Sequence, residues 1–223
     1  MVFSQRFSGL FRISEGSKVL FATQNSTPGK TVGQERILHV DGKEYRVIDP
    51  RVSKLGAALQ KGLKNFPLDT KDVVLYLGAS AGTTVSHFSD ILDKGFVFAV
   101  ESGRRMCTQL VFLAQQRSNI APLFADAAQP HVYAKTLCQV DVLYQDVSQR
   151  NQVEIFLSNA RLFLKQGGHA FLCIKARSID VRKDPKQVFQ ESIALIQKEL
   201  RVVEQVDLSP FQKDHLFVVC EKI

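Results

Sequence analysis

The sequence predicts an α/β fold: a Rossmann-like sheet of seven strands with helices on both faces, preceded by a small β-rich domain. Three observations carry this expectation. From Val73 onward, short apolar runs alternate with stretches whose apolar residues recur at helical spacing, the pattern of parallel strands joined by crossover helices. Residues 1–48 are instead rich in β-formers broken by turn residues. The last two apolar runs have no helix between them, only Leu208-Ser209-Pro210 and a short loop, so they form an antiparallel pair at the sheet edge.

In order along the chain, residues 19–23, 37–40 and 45–47 read as strands of the first domain. Asn25-Ser26-Thr27-Pro28-Gly29 reads as a turn, and Asp41-Gly42 between two apolar runs as a hairpin. The Phe-rich, acid-free residues 1–14 have the composition of a transit peptide. They run on without a cleavage-like break, so they are expected to be a structural part. Residues 49–223 form the second domain. Its strands are expected at 73–77, 96–100, 120–125, 140–144 and 169–176, with the closing pair at 201–206 and 216–221. Helices are expected from Thr83 to about Leu92, through Met106, Leu110 and Leu113, and along Val153, Phe156, Ala160 and Leu164. Asp184-Pro185 opens a further helix as a capping residue followed by proline at the first position, with Phe189, Ile193, Ile196 and Leu200 on one face.

The chain carries 29 Lys and Arg against 22 Asp and Glu. Residues 1–70 hold 11 basic against 6 acidic side chains, and residues 71–223 hold 18 against 16. This lopsided excess favours a polyanionic partner such as nucleic acid. Cys107, Cys138, Cys173 and Cys220 form no Cys-x-x-Cys pair, and two of them sit in apolar runs, so neither a disulfide framework nor a zinc site is expected. No apolar run approaches the length of a membrane span.

The first strand of the second domain runs into Gly78-Ala79-Ser80-Ala81-Gly82-Thr83-Thr84, where small residues let a ligand approach the backbone. Glu101, Asp126 and Asp146 end the next three strands. Glu101 can accept hydrogen bonds from two ribose hydroxyls, and Asp126 or its neighbouring amide can reach an adenine edge. The set suits an adenosine moiety. A nicotinamide dinucleotide competes, but its Gly-x-Gly-x-x-Gly spacing is absent.

Lys175 lies near the end of a buried apolar strand, where a charge is costly unless it is paired or reaches a cleft. His215 opens the last strand. If that strand is antiparallel, Asp146, Lys175 and His215 converge on one rim, with Lys54 on a preceding helix able to cover it. Two lysines, an aspartate and a histidine suit methyl transfer to a hydroxyl, whose proton must be drawn away as the bond forms. Which lysine, if either, is neutral stays open.

At these residues the chain closely resembles fibrillarin, the box C/D guide-RNA ribose methyltransferase, in its archaeal form. The matching segments run from Tyr45-Arg46-Val47 through Ser53-Lys54-Leu55, Val74-Leu75-Tyr76-Leu77-Gly78 and Gly82-Thr83-Thr84-Val85-Ser86-His87. They continue through Ala99-Val100-Glu101, Asp126-Ala127, Asp146-Val147-Ser148-Gln149, Gly167-Gly168-His169, Ile174-Lys175-Ala176 and Asp214-His215. The resemblance implies a class I methyltransferase sheet and S-adenosyl-L-methionine as cofactor. It implies a pocket lined by Thr83, Thr84, Glu101, Asp126, Ala127, Asp146 and Gln149, beside the Gly78, Ala79 and Gly82 loop. It implies a reaction tetrad of Lys54, Asp146, Lys175 and His215. Ser102 belongs with the pocket positions but stands where the family carries an aromatic residue, and Ser80-Ala81 stands where it reads Ala-Ser. The implied partners are a Nop-family scaffold protein, a kink-turn-binding ribosomal-type protein, box C/D guide RNA and an rRNA or tRNA substrate. The implied setting is the archaeal cytoplasm. Two alternatives are a catalytically inactive assembly subunit and a protein glutamine methyltransferase.

Overall fold

A computed structural model describes residues 2–223. The chain begins with five antiparallel strands, β1 (Val2–Phe7), β2 (Leu10–Glu15), β3 (Lys18–Gln24), β4 (Ile37–Val40) and β5 (Lys43–Val47), in the order β1-β2-β3-β5-β4. The sequence reading marked only the last three as strands. The Phe-rich start forms the other two because its aromatic residues pair across the sheet. Phe3 stacks on Phe11 at 4.9 Å between ring centres, and both meet the Tyr45 ring edge-on. Asp41 and Gly42, with φ of 49° and 72°, make the expected hairpin between β4 and β5.

The second sheet contains β6 (Val73–Leu77), β7 (Phe96–Glu101), β8 (Ile120–Phe124), β9 (Val140–Gln145), β10 (Leu164–Lys175), β11 (Arg201–Asp207) and β12 (His215–Glu221). Its order is β11-β12-β10-β9-β6-β7-β8. β6 to β10 are mutually parallel, and β12 runs antiparallel between β10 and β11. The closing pair is antiparallel as expected, with its final member inside the sheet and β11 at the edge. β10 begins at Leu164, earlier than the sequence suggested. It absorbs Gly167-Gly168 in a register shift, with Gly167 at φ 74° donating its amide to Lys222.

Seven α-helical segments flank the strands: α1 (Lys54–Gln60), α2 (Thr83–Ile91), α3 (Arg104–Ala114), α4 (Pro130–Tyr133), α5 (Gln152–Phe163), α6 (Ala176–Ile179) and α7 (Pro185–Ile196). Asp184 caps α7 by accepting from the Lys186 amide, with Pro185 following. Strand alternation sends side chains to two faces of the sheet. Val74, Tyr76, Tyr144, Phe171 and Phe217 pack on one face with α1, α2 and residues of the first sheet. Leu75, Leu77, Leu143, Leu172 and Val218 pack on the other with α5 and α7. Phe171 and Phe217 are fully buried and stacked. Truncating either to alanine would cost about 3–5 kcal/mol.

A buried ion cluster bolts the first sheet to the second. Asp90 of α2 accepts from Arg46 of β5 at 2.8 Å and from Arg117, just beyond α3, at 2.6 Å. All three side chains are essentially inaccessible to water. Arg46 also donates to Glu35 and to the Ser86 hydroxyl, while Arg117 reaches Ser26 and Thr27. His87 lies beside them with its Nδ1 2.8 Å from the Thr23 hydroxyl. That hydroxyl donates its proton to Asp90, so His87 is the donor to Thr23. Burial, and then Arg46, push the His87 pKa down to about 3.

Candidate active site

The carboxyl ends of β6 to β10 open onto one rim, where a parallel sheet leaves space for a ligand. A cavity of about 550 Å³ occupies it. Gly78 and Ala79 leave β6 and form part of its wall, followed by Thr83 and Thr84 at the start of α2. Gly78 has φ 79°, and a Cβ there would stand 2.8 Å from the Asp146 carbonyl oxygen. The chain can turn this tightly beside β9 only without a side chain.

Glu101 ends β7 and faces the cavity with Ser102. Its carboxylate accepts from the Ser80 amide at 2.7 Å and from the Gly103 amide at 2.6 Å. These bonds fix its orientation and leave lone pairs for two further donors. Ala127 and Gln149 line the opposite part of the wall. Asp126 does not. Its carboxylate accepts from the Ala128 amide and from the Gln149 side chain, holding Gln149 in place. Gly82 is also set back from the cavity, at φ 92° with no room for a Cβ against Leu113, so it governs how α2 meets α3.

Asp146 follows β9 and stands between two lysines. Lys175, the last residue of β10, places Nζ 2.7 Å from one carboxylate oxygen, and Lys54 places Nζ 3.6 Å from the other. Lys175 also donates to the Asp146 carbonyl and the Ser148 hydroxyl. Lys54 is the first residue of α1, held by the Ser53 cap, whose hydroxyl accepts from the Gly56 amide and from Thr84. His215 pairs in register directly opposite Lys175 across β10 and β12, at the margin of the cavity and outside its lining. Its Nδ1 lies 2.6 Å from the Lys213 carbonyl, which can only accept, so Nε2 carries the lone pair of the neutral ring. Burial, followed by the charges of Lys54 and Lys175 against an opposing bond to Lys213, lowers the His215 pKa.

All four tetrad residues therefore meet on the rim that holds Glu101. Sequence reasoning missed Val52, Tyr76 and Ser148 in the cavity wall. Tyr76 could have been found from strand alternation, because it lies two residues before Gly78. Burial, and then Asp146, push its phenol pKa well up, so it stays protonated beneath the rim. Val52 depends on the loop before α1, for which the sequence has no periodic signal.

The cavity fits an adenosine-bearing cofactor: a side-chain-free approach at Gly78, an oriented carboxylate at Glu101 and a mostly small-residue wall. Among the described residues no group of His, Cys, Asp and Glu is arranged to hold a metal ion.

The family model for fibrillarin matches residues 2–223. The chain is similar to the fibrillarin-like rRNA/tRNA 2'-O-methyltransferase of Methanocaldococcus jannaschii, with 44% identity over 96% of this chain and 94% of that protein. It is similar to the solved Aeropyrum pernix fibrillarin with natively bound S-adenosyl-L-methionine, with TM-score 0.90, 39% identity, and 99% and 98% of the two chains covered. It is also similar to a fibrillarin solved in complex with Nop5p, with TM-score 0.89, 34% identity, and 99% and 100% of the chains covered.

Proposed function

Because the chain belongs to the fibrillarin family, we propose that it is an S-adenosylmethionine-dependent 2'-O-methyltransferase acting on ribose in rRNA and tRNA, as the catalytic subunit of a box C/D guide ribonucleoprotein. One observation carries the chemistry. Asp146 holds two lysine ammonium groups against a cavity whose far wall presents an oriented Glu101 carboxylate. A nucleotide-binding wall and a cationic, proton-handling rim thus share one space.

S-adenosylmethionine, when bound, supplies a methyl carbon made electrophilic by the attached sulfonium. Glu101, Thr83, Thr84, Ala127 and Gln149 are the residues that would hold it, with Ser102 beside Glu101. The remaining work falls to the rim. Lys54 and Lys175 present N–H donors to the acceptor hydroxyl and stabilise the negative charge its oxygen gains as its proton leaves. Asp146 keeps both ammonium groups in position. His215 is neutral at neutral pH, and its free Nε2 is the lone pair that accepts the hydroxyl proton. With the cofactor bound, the methyl group would pass to the ribose oxygen as its bond to sulfur broke and left that electron pair on a neutral thioether, while the imidazole of His215 would take the hydroxyl proton. Alignment of the acceptor supplies much of the rate.

The fibrillarin–Nop5p complex supports a Nop-family scaffold as partner. A kink-turn-binding ribosomal-type protein and a box C/D guide RNA complete the proposed particle, and the archaeal cytoplasm is its proposed setting. Among the described residues no helix is long and apolar enough to cross a membrane. We divide the chain into a supporting β domain, 1–48, and a methyltransferase domain, 49–223. The test is reconstitution with scaffold, kink-turn protein and guide RNA, followed by mapping of methylated riboses. The expected product is one 2'-O-methyl group at the guided position. Labelled methyl in protein, or none anywhere, would overturn the reading.

A further inference from the structure

The excess of positive charge in the first seventy residues is not used up by the catalytic rim. Lys54 is the only cation of that segment in the cavity wall. Several of the others gather elsewhere. A second cavity, of about 450 Å³, lies between the first sheet and the carboxyl end of α1, walled by Arg6 and Arg12 from the strands and by Leu59, Gln60 and Gly62 from the helix side. No Asp or Glu lines it. Lys61 adjoins it at the end of α1, between the wall residues Gln60 and Gly62, and also lines a neighbouring cavity with Glu204 and Asp207.

Among the described residues Arg6, Arg12 and Lys61 make no ion pair, whereas most of the chain's other arginines do. Nearby carboxylates are engaged. Glu15 is paired with Arg36, and Glu204 accepts from the Lys64 and Asn65 amides. Arg6 is braced by a bond to the Leu63 carbonyl and lies over the Phe7 ring at 4.9 Å. Like charges gathered in one groove without carboxylates repel one another, and a bound polyanion relieves the repulsion.

We propose that this groove binds the phosphodiester backbone of an RNA duplex. The occupant follows from what the groove offers. It has unpaired guanidinium and ammonium groups but no exposed aromatic ring, since Phe21 is buried, so it can hold phosphates and has no platform for stacking unpaired bases. The contact is therefore sequence-independent. Its position adds a purpose. α1 begins at Lys54 on the catalytic rim and ends at the groove, a run of about 10 Å. One RNA helix resting on the groove raises the effective concentration of its neighbouring segment at the rim. The proposal rests on RNA being the substrate class.

The test measures the binding of the full chain to a fluorescein-labelled RNA duplex of mixed sequence over a range of salt concentrations. The Arg12→Gln/Lys61→Gln variant is expected to bind about tenfold more weakly at low salt and to lower the log–log salt slope by about 2. The control Lys186→Gln/Lys198→Gln, on and beyond the distant helix α7, is expected to leave both unchanged. Thermal melting and S-adenosylmethionine affinity report whether each variant is folded, and the Arg12→Gln and Lys61→Gln single variants back up the double, each lowering the slope by about 1. Equal slopes in wild type and groove variant, or equal losses in groove variant and control, would overturn the groove assignment. So would preferential binding of an acidic peptide over the duplex. Failure of the underlying function shows separately, as absence of methylated ribose with the wild-type chain in the assembled particle.

Discussion

Two aspartates in this molecule each stand between two cations, and they do opposite jobs. Asp90 sits between Arg46 and Arg117 at the junction of the two sheets, and Asp146 sits between Lys54 and Lys175 on the rim of the candidate cofactor cavity. The first triplet is sealed from water, and its guanidinium groups also bind Glu35, Ser86, Ser26 and Thr27. The second faces a cavity, with 11–18% of each side chain accessible, and the Lys54 contact is long at 3.6 Å. A charge triplet whose bonding capacity is saturated fixes structure. One left partly unsatisfied at a cavity wall has donors to spend on a ligand. Arginine suits the first role through its rigid fork, and lysine suits the second as a mobile point charge.

The largest effects should separate the two. Asp146→Ala is expected to lower single-turnover methylation in the assembled particle about 10³-fold or more, while the denaturant midpoint shifts little. Asp90→Ala is expected to do the reverse. Two buried guanidinium groups lose their shared counter-ion, at a cost of about 3–5 kcal/mol in urea unfolding. Comparable activity loss in both, at equal protein folded, would break the contrast. Exchanging the cations sharpens it. Lys175→Arg should cut turnover about 100-fold despite the kept charge, because the fork does not fit the site of the compact ammonium group. Arg117→Lys should cost about 1–3 kcal/mol of stability, since one ammonium group cannot reach all the partners of Arg117.

Acid tests the buried junction from another side. His87 has its folded pKa at about 3, below its unfolded value of 6.5. Its contribution is fully present above pH 6.5 and is lost as pH falls towards 3, because the unfolded chain takes up the proton first. The slope should reach at most about 1.4 kcal/mol per pH unit. It acts amid Thr23, Glu35, Asp90, Arg46 and Arg117, and the lowered pKa of Glu35, about 2, adds a loss in stronger acid. A His87→Gln chain should lose the part of this slope between pH 6 and 5, as read from melts across that range. The smallest effect is expected at Ser53→Ala, which removes the cap of α1 and costs about 1 kcal/mol, with some loss of turnover as Lys54 loosens. Ser53→Thr should restore both.

Much of this was legible in the sequence because it depends on local pattern. Alternation placed six of the seven strands of the large sheet to within a residue or two. Asp41-Gly42 and Asp184-Pro185 marked a hairpin and a helix start through the backbone conformations those residues favour. The strand-end carboxylates followed from topology alone. What escaped depends on contacts between distant positions. Arg46, Asp90 and Arg117 come from three separate elements, and nothing near any of them announces the other two. Gly82 reads as part of a ligand loop by spacing, yet its constraint comes from Leu113 on the next helix. Asp126 is expected as a ligand contact, and the structure gives one of its carboxylate oxygens a second task, accepting from Ala128 and Gln149. β10 outran its expected start because a glycine pair that signals a break was accommodated as a bulge.

The placement of β12 has a consequence for biosynthesis. It is the last strand of the large sheet to leave the ribosome, yet it fills an interior slot, so β10 keeps a raw edge and β11 has nothing to lean on until residues 215–221 have emerged. His215 arrives with that strand. A nascent chain that lacks this strand therefore has an incomplete form of the proposed tetrad and an open sheet edge between β10 and β11.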